Sequence, residues 1–102
     1  MNTNKKILTP EEIAEVVKPL AEKYHIAEVY LFGSYARGTA TEESDIDLLV
    51  IGGKDFVPTK IFSFAEKLRK IFQKDIDAYE IREINVGSGF YKEVMKERRL
   101  VA

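Results

Sequence analysis

The stretch that constrains this chain most is Asp45-Ile46-Asp47-Leu48-Leu49-Val50-Ile51, preceded by a ten-residue spacer and the pair Gly33-Ser34. Side chains alternate along a strand, so residues two apart share a face. Asp45 and Asp47 therefore point the same way, with Cα atoms roughly 6.6 Å apart at standard strand rise. Ile46 points to the other face. The later residues are apolar on both sides, which predicts a central strand, from Asp45 to Ile51, covered on both faces. Any fold for this chain must bury a strand that opens with two like charges on one surface.

The rest of the chain supplies the cover. Thr9-Pro10-Glu11-Glu12 predicts a helix start: Thr9 caps, Pro10 suits the first helical position and Glu12 completes a capping box. Ile13, Val16, Val17, Leu20 and Tyr24 then form one apolar face, with Pro19 expected to kink or split the helix. Glu28 to Phe32 reads as a first strand ending at Gly33, and Tyr35 to Gly38 as a short helical turn. A helix is predicted from Thr59 to Phe72, with Ile61, Phe64, Ala65, Leu68, Ile71 and Phe72 as its stripe. A third strand is expected over Asp75–Ile81. Gly87-Ser88-Gly89 breaks the chain before a last helix over Phe90–Arg99, with Phe90, Val94 and Met95 inward. The aromatic residues Phe62, Phe64, Phe72 and Phe90 read as core. The order α-β-(short α)-β-α-β-α predicts a small α/β or α+β sheet flanked by helices.

Composition bounds the function classes. The 102 residues suffice for one domain, 1–102, rather than two. Charged residues make up 32% of the chain but balance to a formal net charge of −1, so no basic field exists to attract nucleic acid as a direct substrate. The absence of Cys excludes disulfides and zinc–thiolate sites and fits a cytoplasmic location. No signal peptide or membrane span is expected. Lys92, Lys96, Arg98 and Arg99 read as the wet face of the last helix, and His25 as structural or solvent-exposed.

Two acids held on one strand face repel by about 4 kcal/mol at 4 Å and a surface-like dielectric. A divalent cation between them offsets that cost. Mg²⁺ takes one or two carboxylates and fills its other positions with water and substrate phosphate, and Mn²⁺ suits the same oxygens. Alone, Asp-x-Asp is a common solvated strand end. Asp75 and Asp77 on the next strand share a face too, and one of them could join the pair to hold two metals. The choice is open, but Asp77 lies between apolar Ile76 and Ala78, where a charge asks for a partner. Gly33 lets the backbone approach a phosphate, and Ser34 offers a hydroxyl and an N–H. Arg37 suits either a phosphate or a nearby acid. Tyr35 suits packing better than stacking on a base.

Gly33-Ser34, the spacer containing Ala36-Arg37-Gly38, and Ser44-Asp45-Ile46-Asp47-Leu48 resemble the signature of the polymerase-β-like nucleotidyltransferase superfamily. The likeness is nearest to its smallest branch, the minimal nucleotidyltransferase (MNT) domain, and covers nearly the whole chain. The resemblance implies a mixed, mostly antiparallel sheet with helices on one side. It implies that Asp45, Asp47 and Asp77 are the catalytic, metal-holding acids for Mg²⁺ (two ions, or Mn²⁺), and that Gly33, Ser34 and Arg37 meet the nucleotide. It implies transfer of AMP from ATP to an acceptor hydroxyl with release of pyrophosphate. Freestanding domains of this kind resemble the antitoxin of HEPN/MNT toxin–antitoxin pairs, which implies a hetero-oligomer with a HEPN ribonuclease and a tyrosine of that toxin as acceptor. Masking of the toxin by contact alone, or modification of a small molecule beside a separate acceptor-binding subunit, are the alternatives.

Overall fold

Local signals set the first element of the computed structural model, which describes residues 6–102. Helix α1 (Pro10–Lys23) opens with the expected capping box: Thr9 Oγ1 accepts the Glu12 N–H at 3.0 Å, and Glu12 Oε1 accepts the Thr9 N–H at 2.9 Å. These bonds satisfy donors that a helix start otherwise leaves unpaired. Thr9→Ala should lower stability by about 1 kcal/mol, read as a shift in the thermal unfolding midpoint. The expected split at Pro19 does not occur, and α1 runs through it. Pro19 and Glu15, whose carbonyl loses its helical donor, both lie on the exposed side of α1, so the lost bond is not a buried one.

The remaining elements follow in order: β1 (Ile26–Phe32), the single turn α2 (Ser34–Arg37), β2 (Ile46–Gly52), α3 (Lys60–Phe72), β3 (Ile76–Glu80), a 3₁₀ turn (Ile81–Glu83), α4 (Gly89–Glu97) and β4 (Arg99–Leu100). The sheet order is β3-β2-β1-β4. β1 pairs antiparallel with both β2 and β4, and β2 pairs parallel with β3. The sheet is thus mixed and mostly antiparallel, and β2 is central as its apolar run demands. The short edge strand β4 lies outside the expected pattern. The last helix stops at Glu97 rather than Arg99, and the chain turns back to pair Leu100 with Tyr30.

Alternation along the strands divides the core in two. Val29, Leu31, Ile46, Leu48, Val50 and Ile76 pack with Ile13 and Val17 of α1 and with Ile61, Phe64 and Leu68 of α3. Phe32 and Leu49 pack on the opposite side with Val94 of α4 and Ile84. Helices therefore cover both faces, not one, because Leu49 is fully buried and needs a cover of its own. Some predicted core residues lie outside it. Phe62 is 73% exposed and Ile71 52%, since the inward stripe of α3 runs through Ile61, Phe64, Ala65, Leu68 and Phe72. Phe90 sits at the open start of α4 with its ring half out. Arg98 and Arg99 lie beyond the helix: Arg98 stacks on the Tyr30 ring at 4.7 Å and Arg99 pairs with Glu11 at 3.2 Å. His25 is exposed and takes a left-handed turn between α1 and β1 (φ 60°). Among the described residues, no helix is long and apolar enough to cross a membrane.

Candidate active site

The β2 alternation that buries Ile46, Leu48 and Val50 under α1 and α3 turns Asp47 to the α4 side. The parallel pairing of β2 and β3 sets Asp47 directly beside Asp77, one register step below Leu48 and Ala78. Residues opposite one another in neighbouring strands sit close enough for their side chains to meet. The antiparallel turnaround from β1 sets Phe32 across from Asp47 and so brings Gly33 against it. A spacer of ten residues thus becomes a direct contact between loop and acid.

Gly33 is required at that contact. Its backbone stands at φ 71°, ψ −153°, a region essentially reserved for glycine. A Cβ placed on it would collide with the Asp47 Oδ2. Gly38 closes the single turn of α2 in the left-handed conformation at φ 78°. Because α2 is one turn long, its helix dipole is slight, and the loop acts on an anion through its N–H groups and Arg37. Ser34 is half-buried at the head of this turn. Tyr35 is only 3% exposed and packs into the α1–α3 core, which removes it from any stacking role.

Electrostatics mark the acids as a unit. Burial first, then the neighbouring Asp77, a hydrogen bond shared with it and the charge of Asp45, push the Asp47 carboxyl up to about 6, while Arg37 opposes the shift. Asp45 lies one residue before β2 and is exposed. It too is raised, by residual desolvation and then by Asp77 and Asp75, with Lys74 opposing. Asp45, Asp47 and Asp77 therefore feel one another across the strand ends. Asp75 precedes β3 and is exposed; with Asp45, Lys74 and Arg69 it lines a depression of about 390 Å³. Register thus favours Asp77 over Asp75 as the partner of Asp47.

Among the described residues, no group of three or more His, Cys, Asp or Glu side chains stands ready to hold a metal ion unaided. What the site does present is an all-oxygen pair, Asp47 and Asp77, set side by side on neighbouring strands. That donor set suits an ion that completes its shell with water and substrate phosphate, as Mg²⁺ does. Such an ion fits the residues present.

Arg37 and Gly33 are already partnered. Glu97, at the end of α4, accepts the Gly33 N–H at 2.8 Å and pairs with Arg37 at 3.1 Å. Sequence reasoning missed Glu97. It lies 60 residues from Arg37 among other charges of a wet helix face, with no local pattern to single it out. On the acids' side of the sheet, Phe32, Tyr79 and Phe90 form a three-ring cluster with centroids 5.5 to 6.0 Å apart.

The family model for a nucleotidyltransferase domain matches residues 12–101. A protein adenylyltransferase, MntA, of Thermococcus cleftensis is 34% identical over 99 residues, covering 89% of this chain and 94% of its own length. A solved structure provisionally described as a minimal nucleotidyltransferase superposes with a TM-score of 0.74 at 25% identity, over 90% of this chain and 95% of that one. A tri-AMPylated HEPN toxin in complex with MNT antitoxin, from Shewanella oneidensis, contains a chain of the same fold, with a TM-score of 0.68 at 19% identity over 92% of this chain and 72% of that one. The glycine-led loop against paired strand-end acids thus sits in a recognised scaffold, and the chain belongs to the nucleotidyltransferase domain family, in its minimal form.

Proposed function

We propose that this chain, acting as one domain over residues 1–102, is the antitoxin of a toxin–antitoxin pair and transfers AMP from ATP to a hydroxyl of its partner, a tyrosine of a HEPN ribonuclease. The observation that carries this reading is the side-by-side placement of Asp47 and Asp77 against the Gly33 loop. An unpaired carboxylate pair with a raised acid beside an anion-binding loop suits a cation–polyphosphate ligand and little else. The names of the relatives, an adenylyltransferase and an AMPylated HEPN complex, support the choice of nucleotide and partner. The near-zero formal net charge of −1 disfavours nucleic acid as acceptor. A cytoplasmic partner fits the Cys-free chain.

Each residue then has a role. Asp45 and Asp47 would hold Mg²⁺ (Mn²⁺ would suit the same oxygens), and Asp77 would share a second ion. The metal ions, when bound, neutralise the triphosphate and polarise its α-phosphorus. Asp77, open to solvent at the strand edge, takes the proton of the acceptor hydroxyl. The acceptor oxygen bonds to the α-phosphorus, the bond from that phosphorus to the bridging oxygen breaks, and pyrophosphate leaves. Ser34 and the loop N–H groups orient the leaving phosphates. The exposed ring edges of Tyr79 and Phe90 offer the acceptor's aromatic ring a surface beside Asp77.

The test is incubation of this chain with its partner toxin, ATP and Mg²⁺, read by intact mass. We expect the toxin to gain AMP and to lose ribonuclease activity. Asp77→Asn should cut that gain by about 10²-fold or more, the size of a general-base contribution. No mass gain on the partner, or neutralisation that proceeds undiminished with Asp77→Asn, rejects transfer in favour of masking by contact.

A further inference from the structure

The donors that the Gly33 loop would offer a phosphate already hold an anion. Glu97 Oε1 accepts the Gly33 N–H at 2.8 Å, and Arg37 Nη1 reaches both carboxylate oxygens, at 3.3 and 3.1 Å. The Glu97 side chain is 16% exposed, whereas Arg37 is 52% exposed and still open to a ligand on its outer side. A carboxylate this far out of water needs charge-assisted partners, and Gly33 N–H and Arg37 supply them. Asp47 lies against the same glycine, and Asp77 lies beside Asp47, so the seat borders the acid pair.

A carboxylate and a phosphate oxygen ask for the same donors, an N–H and a guanidinium edge. We infer that Glu97 is the resident occupant of the phosphate seat: it holds the Gly33 and Arg37 donors while no nucleotide is bound, and a polyphosphate enters by displacing it. The inference rests on the nucleotide reading above and names the residue that sets nucleotide affinity. Glu97 is tethered, so it competes at a high effective concentration but with a single charge. A ligand that brings several charges and its own cation can displace it; one carrying a single phosphate competes poorly. Glu97 thereby tilts the site toward triphosphate over monophosphate, and toward release of the AMP-bearing product.

The opposite possibility is a static brace, in which Glu97 holds Arg37 and the loop in working order and its removal weakens binding. Calorimetric titration of the full chain with magnesium tripolyphosphate, magnesium ATP and AMP separates the two. Glu97→Gln keeps an oxygen for the Gly33 N–H but drops the competing charge, and Glu97→Ala removes the side chain. Tripolyphosphate and ATP should bind about 5- to 10-fold tighter to Glu97→Gln, the scale of one charge-assisted hydrogen bond no longer to be broken. The preference for ATP over AMP should narrow in the same variant. Binding that is unchanged or weaker, or no tripolyphosphate binding by the wild type and the folded Glu97→Gln protein, overturns the inference. AMP transfer is read separately: tighter binding without transfer leaves the seat standing and removes the transferase reading, while transfer without tighter binding does the reverse.

Discussion

Asp47→Asn is expected to abolish AMP transfer and, at the same time, to make the unliganded protein more stable. The activity loss should reach about 10³-fold, since the substitution removes an anionic oxygen from the pair proposed to hold the cation. The stability gain comes from the cost that Asp47 imposes on the fold. Its carboxyl is pushed from the ordinary 3.8 to about 6, by burial and then by the charge and hydrogen bond of Asp77. A raised carboxyl binds its proton more tightly in the folded chain than in the unfolded one. Stability therefore falls as pH rises from about 4 to about 6, and the full penalty stands above that window. Asn carries no such penalty. Since the side chain is partly solvated, the gain is discounted to about 1 kcal/mol at pH 8. Urea unfolding of both proteins at pH 8 and pH 4 checks the sign. The variant should be more stable at pH 8, and the two should converge at pH 4. A variant less stable at pH 8 would show that the Asp47 carboxylate stabilises the fold through a partner outside this account. The same logic explains why magnesium with a nucleotide should raise the melting temperature of the wild type: a ligand that binds only the folded state adds stability, and this one also relieves the repulsion.

Gly33→Ala should damage both fold and function, through one contact. The backbone at φ 71°, ψ −153° excludes an L side chain at low cost, and the new Cβ would meet the Asp47 Oδ2. Together these should destabilise the chain by about 2 kcal/mol. For a domain of this size that lowers the melting temperature by about 10 °C. AMP transfer should be lost even well below the new midpoint, because Asp47 or the loop must move to make room. A double-mutant cycle isolates the contact. In an Asp47→Ala background the clash vanishes while the backbone cost stays, so Gly33→Ala should cost about 1 kcal/mol less there. Equal costs in the two backgrounds would mean that Gly33 is needed for its φ alone.

Most of this protein was written in local patterns. The capping box at Thr9 and Glu12, the inward stripe of α3 except for Ile71, and the apolar run of β2 appear where short-range rules put them, because each depends on neighbours a few residues away. The Gly-Ser loop and the Asp-x-Asp pair were legible for the same reason: their spacing along the chain is the information. Where side chains were misplaced, the pattern was ambiguous. Phe62 and Phe90 are as apolar as Phe64, and only the packed structure shows that the first two lie outside the core. Asp75 and Asp77 share a face by alternation, and nothing short of the β2–β3 register sets Asp77 beside Asp47.

What the amino-acid order determined alone was the set of elements, apart from the edge strand β4, and the chemical groups at the strand ends, since hydrophobic period, caps and glycines act over a turn or a few strand residues. What tertiary structure decided was which of those groups meet. Parallel pairing chose the partner of Asp47, the burial of Leu49 drew α4 onto the second face, and that placement carried Glu97 to a loop 60 residues away. Contacts of that span are fixed by the closing of the sheet and its cover, and a linear chain holds no local trace of them.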